Sequence, residues 1–175
     1  MSRPAPTIRL LAPNDASVYC SLRLRGLSEH PEAFTSSAEE ESVRPLSWSQ
    51  ERLTPDTGKP HDFFLGAFQD EVLLGVVGLQ GRYRLKERHN ATVTGMFVAP
   101  EGGRCGLGMA LMQDLLARAR ALPDLEQVDL TVTEGNDHAQ RLYVRCGFTV
   151  YGVLPHAIKV NGHDHAKVLM TLRLR

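Results

Sequence analysis

Val98-Ala99-Pro100-Glu101-Gly102-Gly103-Arg104-Cys105-Gly106-Leu107-Gly108-Met109-Ala110-Leu111 is the stretch that decides how this chain is read. An apolar, strand-like run from Val93 to Ala99 stops at Pro100, and a glycine-rich loop then opens into a segment with helical periodicity. A loop with so few side chains lets consecutive backbone N–H groups converge on one point. That point also faces a helix N-terminus, where unpaired N–H groups and the helix dipole favour an anion. The ligand implied is a phosphate or pyrophosphate held mainly by backbone.

Spacing separates this loop from other phosphate binders. A P-loop needs Gly, four residues, then Gly-Lys-Ser/Thr, and no lysine follows either glycine pair here. A Rossmann fingerprint needs Gly-x-Gly-x-x-Gly directly after a strand. Gly106-Leu107-Gly108-Met109-Ala110-Leu111 lacks the third glycine, stands several residues beyond the strand, and leaves too little chain for a doubly wound sheet. Alone, a Gly-x-Gly fits an ordinary turn just as well.

A second motif changes the balance. The strand-like Gln127-Val128-Asp129-Leu130-Thr131-Val132 leads to Asn136-Asp137-His138-Ala139-Gln140-Arg141-Leu142-Tyr143-Val144-Arg145-Cys146-Gly147-Phe148. The pairing of the two motifs resembles the GNAT superfamily of N-acetyltransferases, over roughly residues 62 to 174. In that family a loop Arg/Gln-x-x-Gly-x-Gly/Ala grips the pyrophosphate of acetyl-CoA. A later Asn…Ala…Leu-Tyr-x-x-x-Gly-Phe segment borders the pantetheine and the thiol. The resemblance implies acetyl-CoA as co-substrate. It places Gly103, Arg104, Cys105, Gly106, Leu107, Gly108 and Met109 around the pyrophosphate, and Asn136, Ala139 and Tyr143 farther along. It also implies that the backbone of Met96, Phe97 and Val98 pairs with the pantetheine arm, one N–H there polarising the acetyl carbonyl. One departure stands out: Gly103 occupies the position where the family has Arg or Gln, and Arg104 follows one place later.

Composition sets bounds. The chain has 175 residues, which suits one domain with a sizeable core and a tail over residues 1–6. Lys plus Arg (20) balance Asp plus Glu (20), so the charge excess of a nucleic-acid binder is missing. No apolar run has the length of a membrane span, and the N-terminus lacks a signal-peptide core. Cys20, Cys105 and Cys146 lie far apart, as reduced thiols do. These features predict a cytoplasmic globular protein without metal. Cys105 has no neighbouring base and reads as filler. His163 and His165, with His156 nearby, flank a turn where polar residues are expected anyway.

Periodicity gives an order β-α-α-β-β-β-α-β-α-β-β, an α/β mixed sheet with helices on both faces. Thr7–Leu11 alternates like a strand, and Pro13-Asn14-Asp15 starts a helix running through Arg25. The pattern weakens between His30 and Pro60, where a second helix could draw on residues 39–41 and 48–53. Strands follow at 63–69 and 72–79, joined at Asp70-Glu71, and at 90–99. Leu107, Leu111, Leu115, Leu116, Ala119 and Leu122 form an apolar helical stripe ended by Pro123. A strand at 128–133, a helix capped by Asn136 or Asp137, and two strands around Asn161-Gly162, a type I′ signal, complete the chain.

Acetyl transfer to an amine needs a polarised carbonyl, aligned reactants, a deprotonated amine and a leaving thiolate. Positioning supplies much of this, with effective molarities on the order of 10⁵ M or more. Tyr143, a phenol of reference pKa about 10, is the candidate acid for the departing sulfur. By spacing alone it packs beside Leu142 and Cys146, and the resemblance adds the catalytic role. Asn136 is a helix cap that the resemblance also turns toward cofactor amides. Gly95 reads equally as a bulge that would open a slot beside its strand or as an ordinary glycine in a central strand. Candidate bases are Glu39, Glu40, Glu41 and Glu134, with Glu134 and Glu40 carried forward, although a run of charge is usually a solvated face. A cationic acceptor would suit Glu39–Glu41. The competing reading is an acyl-CoA-binding sensor without chemistry; a nucleotide-phosphate binder is a third. Relatives commonly form homodimers, but the sequence carries no dimer signature of its own.

Overall fold

The computed structural model describes residues 6–103 and 105–175. Strands β1 (Thr7–Leu10), β2 (Phe63–Gln69), β3 (Val72–Gly81), β4 (Asn90–Val98), β5 (Gln127–Thr133), β6 (Thr149–Val160) and β7 (His163–Arg173) form one seven-stranded sheet in the order β1-β2-β3-β4-β5-β7-β6. Neighbours are antiparallel except β4 and β5. Helices α1 (Ala16–Glu29), α2 (Ala38–Ser42) and α3 (Leu46–Leu53) precede β2. α4 (Pro100–Gly103) and α5 (Leu107–Ala121) follow β4, and α6 (Asp137–Arg145) follows β5. The mixed α/β sheet is as the periodicity predicts.

Two apolar cores sandwich the sheet. Leu107, Leu111, Met112, Leu115, Leu116 and Ala119 of α5 pack with Leu65, Val77, Val93, Val128 and Tyr143 on one face. Ala16, Tyr19 and Leu22 of α1 and Leu53 of α3 pack with Phe64, Val76 and Phe97 on the other. Burying a Leu or Met side chain contributes about 1.5–3 kcal/mol, whereas an N-cap contributes about 1 kcal/mol. The stripe therefore anchors α5 even though its N-cap, Gly106, provides no side-chain hydrogen bond.

Two segments differ from the periodic reading. The weak stretch before β2 holds two helices. Ser37 starts α2 with a capping box, its N–H donating to Glu40 Oε2 at 2.9 Å and its Oγ accepting from Glu40 N–H at 3.1 Å. Pro45 then caps α3. The first half of the glycine loop is also not open: Pro100 begins a helical turn that ends at Gly103. The Asn161-Gly162 turn has both residues at positive φ (49° and 80°), as type I′ requires.

The decisive irregularity lies in β4. Val76 pairs with Phe97, but Gly78 pairs with Thr94, so β4 uses one residue more than β3 over this interval. Gly95 sits there in the left-handed region at φ 63°. One extra residue inverts the alternation of side chains. Ala91 and Val93 face the α5 core, Phe97 faces the α1 core, and Met96 and Val98 take over the α5 side.

β4 and β5 pair only at Asn90–Gln127, Ala91–Val128 and Thr92–Asp129. β5 then stays with β7 as far as Thr133–Lys167, and β4 stays with β3 to Val98. Each strand follows its outer neighbour, so a wedge opens between them. Its apex is pinned by Asp129, which accepts hydrogen bonds from the Thr92 hydroxyl at 2.7 Å and from Arg82 Nη2. Hydrogen bonds to charged groups contribute about 1.5–3 kcal/mol. Asp129→Ala should therefore lower unfolding free energy by about 2 kcal/mol in urea titrations, with an unchanged m-value; an unmoved midpoint would show that the apex is held without it.

Candidate active site

The wedge contains two connected hollows. The larger, about 680 Å³, runs from Gly103 and Gly108 past Met96, Phe97 and Val98 to Glu134, Asn136, Ala139 and Tyr143. The smaller, about 280 Å³, lies toward α1 and α3 and is lined by Arg23, Arg52, Thr92, Thr94, Gly95 and Lys167, among others. They share Ala33, Phe34, Met96, Thr131 and Tyr143 as walls. Tyr143 thus stands where the two meet.

At the outer end of the large cleft, α5 supplies an anion-binding terminus. Gly106 takes φ 70°, a backbone state costing an ordinary L-residue roughly 1–2 kcal/mol. The helical ladder starts with Ala110 N–H donating to Gly106 O at 3.1 Å, so the amides of Leu107, Gly108 and Met109 precede it. Among the described residues, a Cβ built at Gly103 or Gly106 would meet nothing within 4 Å. Such a helix end favours an anion, and a diphosphate fits its chemistry.

The residues expected around the cofactor divide. Met96, Phe97, Val98, Gly103, Gly108, Asn136, Ala139 and Tyr143 line the cleft. Cys105, Gly106, Leu107 and Met109 do not. The Leu107 side chain is fully buried beneath the loop, so only its main chain can face a ligand. Met109 instead lies beside the Cys146 thiol, sulfur to sulfur 3.8 Å. Arg104 lies outside the described residues. Asn136 caps α6, its Oδ1 accepting from Ala139 N–H at 3.2 Å.

Tyr143 is 7% exposed and packs edge-on against Phe148, ring centroids 6.1 Å apart. Its hydroxyl has no hydrogen-bond partner among the described residues. Burial, with a small contribution from Cys146, pushes its pKa up to about 12. The phenol is therefore protonated throughout the neutral range and available as a donor.

The carboxylates expected as bases divide as well. Glu39 and Glu40 are exposed, and Glu40 is committed to the α2 capping box. Glu134 lines the large cleft but not the smaller hollow. Glu41 is buried and holds Arg23 in a two-pronged ion pair, with Nη2–Oε1 at 2.8 Å and Nε–Oε2 at 3.1 Å. Among the described residues no Asp or Glu lines the smaller hollow, so Glu39–Glu41 do not prepare it for a cationic acceptor.

Periodicity missed the polar residues of that hollow. Arg23 sits on the buried stripe of α1 beside Tyr19, Leu22, Gly26 and Leu27, and a charge on such a stripe is the signal that could have found it. Lys167, 5% exposed, donates to Glu32 O (3.3 Å), Ala33 O (3.2 Å) and Thr133 Oγ1 (2.7 Å). Thr133 Oγ1 donates in turn to Glu32 O at 2.6 Å. This knot fastens the turn carrying Ala33 and Phe34 across the wedge. Burial, opposed by Glu32, lowers the Lys167 pKa.

Sequence comparison identifies the family to which this fold and cleft correspond. A model of the Acetyltransferase (GNAT) family matches residues 26–148. The chain belongs to this family. Similar solved structures include an acetyltransferase of the GNAT family from Streptococcus pneumoniae (21% identity, TM-score 0.77, covering 96% of this chain and 98% of that one). Another is yncA from Salmonella typhimurium, solved with its cofactor acetyl-CoA (20%, TM-score 0.80, 98% and 95%). A third is a phosphinothricin acetyltransferase from Sinorhizobium meliloti in complex with acetyl-CoA (16%, TM-score 0.83, 97% and 89%). The UPF0157 protein YqkA of Bacillus subtilis is 30% identical over 93 residues, which span 53% of this chain and about a quarter (25%) of that protein. Among the described residues, no group of three or more His, Cys, Asp or Glu is placed to hold a metal ion, and no helix is long and apolar enough to cross a membrane.

The Arg23–Glu41 pair carries a pH signature. Burial opposes ionisation of Glu41, but hydrogen bonding and charge from Arg23, with help from Ser36 and Arg52, hold its pKa below the ordinary 4.5. A depressed carboxylate contributes stability that is complete above its unfolded pKa and lost as pH falls through the folded one. Glu41→Gln should flatten this acid limb in equilibrium unfolding below pH about 4.5. At neutral pH, removing one partner of a buried pair should cost about 3 kcal/mol; an acid limb identical to wild type would contradict the assignment.

Proposed function

We propose that the protein is an acetyl-CoA-dependent N-acetyltransferase acting by direct transfer in a ternary complex. Bound acetyl-CoA supplies an activated acetyl thioester, whose transfer to an amine releases the thiol. The first-turn amides of α5 hold the diphosphate. The free edge of β4 from Gly95 to Val98 aligns the pantetheine arm, and an N–H there polarises the carbonyl. Met96, Thr131 and Tyr143, shared by both hollows, bring donor and acceptor together at one point. Tyr143 donates its hydroxyl hydrogen to the departing sulfur. No carboxylate of the chain is needed as an immediate base, because water can take the amine's proton where the hollow opens to solvent.

The observation that carries this reading is the neutral, unpartnered Tyr143 hydroxyl at the junction of the two hollows. A second reading, a sensor that binds acyl-CoA without chemistry, draws support from the absence of a carboxylate in the smaller hollow. Thiol release from acetyl-CoA against a panel of amines separates them. General acid–base groups contribute typically 10²–10⁴-fold, so Tyr143→Phe should lower kcat roughly 100-fold or more while acetyl-CoA affinity by calorimetry stays within about threefold. Lost acetyl-CoA binding with the fold intact would contradict the role given to the hydroxyl; unchanged kcat would contradict it equally.

The printed names of similar structures point to different acceptors, phosphinothricin in one case and a ribosomal-protein alanine in another. None is carried over to this chain, and the acceptor has to be argued from its own residues.

A further inference from the structure

The smaller hollow is built around positive charge. Among the described residues Arg23, Arg52 and Lys167 line it and no acid does. Glu41 neutralises Arg23 from behind, engaging Nε and Nη2. Nη1 of Arg23 is left over, without a protein partner among the described residues, and lies 4.0 Å from where a Cβ on Gly95 would sit. Lys167 has all three donors engaged by carbonyls and Thr133, yet its charge faces no carboxylate within ion-pair distance among the described residues.

Arg52, the third cation, interacts with the Tyr19 hydroxyl and acts on Glu41 through its charge. It makes no ion pair among the described residues, and its Nε is buried without a partner. Its guanidinium lies over the rings of Trp48 at 5.2 Å and Phe64 at 4.9 Å, stacking that fixes its plane without using its hydrogens. A neighbouring hollow of about 220 Å³ also touches Arg52 and holds Glu51, Asp56, Lys59 and Asp62. Asp62 is already engaged by the Tyr83 hydroxyl and Gly81 N–H, each at 2.7 Å. Guanidinium groups in a half-enclosed site, with the charge fixed and the plane held, are how proteins recognise carboxylate and phosphate-like groups.

We infer that the acceptor is a small primary amine that also carries an anionic group. Its carboxylate or phosphonate meets Arg52 and the free Nη1 of Arg23, while its amine reaches toward Tyr143 and Met96, where the hollow opens into the cleft. This rests on the transfer reading above and narrows it. A volume of about 280 Å³ is at the lower edge of small-molecule pockets, roughly 300–1,000 Å³, and suits a compact molecule. The same cations act on the amine. Neighbouring positive charge disfavours an ammonium, so the site that holds the anion also helps the amine shed its proton. A diamine or polyamine would place a second cation among three.

Trp48 is the chain's single tryptophan, and its contact with Arg52 makes it a reporter that needs no turnover. Wild type without acetyl-CoA is titrated with β-alanine, 2-aminoethylphosphonate and propylamine at constant ionic strength. The two anionic amines should give saturable changes in tryptophan emission, their relative midpoints ranking carboxylate against phosphonate, and propylamine none. Arg52→Gln should abolish the change, and Arg52→Lys, which keeps the charge, should retain part of it even if the glutamine variant is poorly folded. In thiol-release assays with acetyl-CoA the anionic amines should exceed propylamine and 1,3-diaminopropane in kcat/KM. Arg52→Gln should raise their KM ten- to hundredfold, the size of a lost charged hydrogen bond, while kcat changes little. Absence of a saturable emission change, or equal turnover of propylamine or the diamine, overturns the inference. Saturable anion binding with no thiol release from any amine would instead count against acetyl transfer and for the anion site.

Discussion

The structure depends on one constraint: β4 and β5 cannot remain neighbours beyond Thr92 and Asp129. β5 is tied to β7 through seven consecutive pairs, and β4 follows β3 through its bulge to Val98. A parallel pair gripped from both outer sides either stays closed or splits, and here it splits. Asp129 fixes where the split begins. The unpaired β4 edge, the cleft and the meeting of the two hollows at Tyr143 all follow from that geometry.

Charge is distributed along the wedge in a consistent way. Its outer end has the amino terminus of α5, whose field favours an anion without a side chain. Among the described residues its inner end has three cationic side chains, of which Arg23 is tightly paired with a carboxylate. Between them Tyr143 is buried, and burial raises its pKa further above the neutral range. Lys167 serves the architecture as much as the field. Together with Thr133 it ties the Glu32–Ala33 backbone to β5 and β7, which keeps Phe34 in place as a wall of both hollows.

Much of this was legible in the sequence because it is local. The α5 stripe, the Asn161-Gly162 turn, the Asn136 cap and the glycines before α5 each depend on residues a few positions apart. Gly95 was legible as a bulge, but its consequence was not: the parity flip that puts Phe97 on one face and Met96 and Val98 on the other depends on pairing with β3. The acceptor side was hidden for the same reason. Arg23, Arg52 and Lys167 come from α1, α3 and β7 and meet only after folding. Glu41 reads as part of a solvated acidic run until Arg23, 18 residues earlier, is found against it.

Amide hydrogen exchange with and without acetyl-CoA tests the central claim most directly, because it reports which backbone groups the ligand covers. The wedge predicts slowed exchange in two separate segments, Gly95–Val98 at the free edge of β4 and Gly106–Met109 at the start of α5, with β1 and the outer face of β6 unaffected. Slowing confined to other strands, or exchange unchanged at saturating acetyl-CoA, would contradict it.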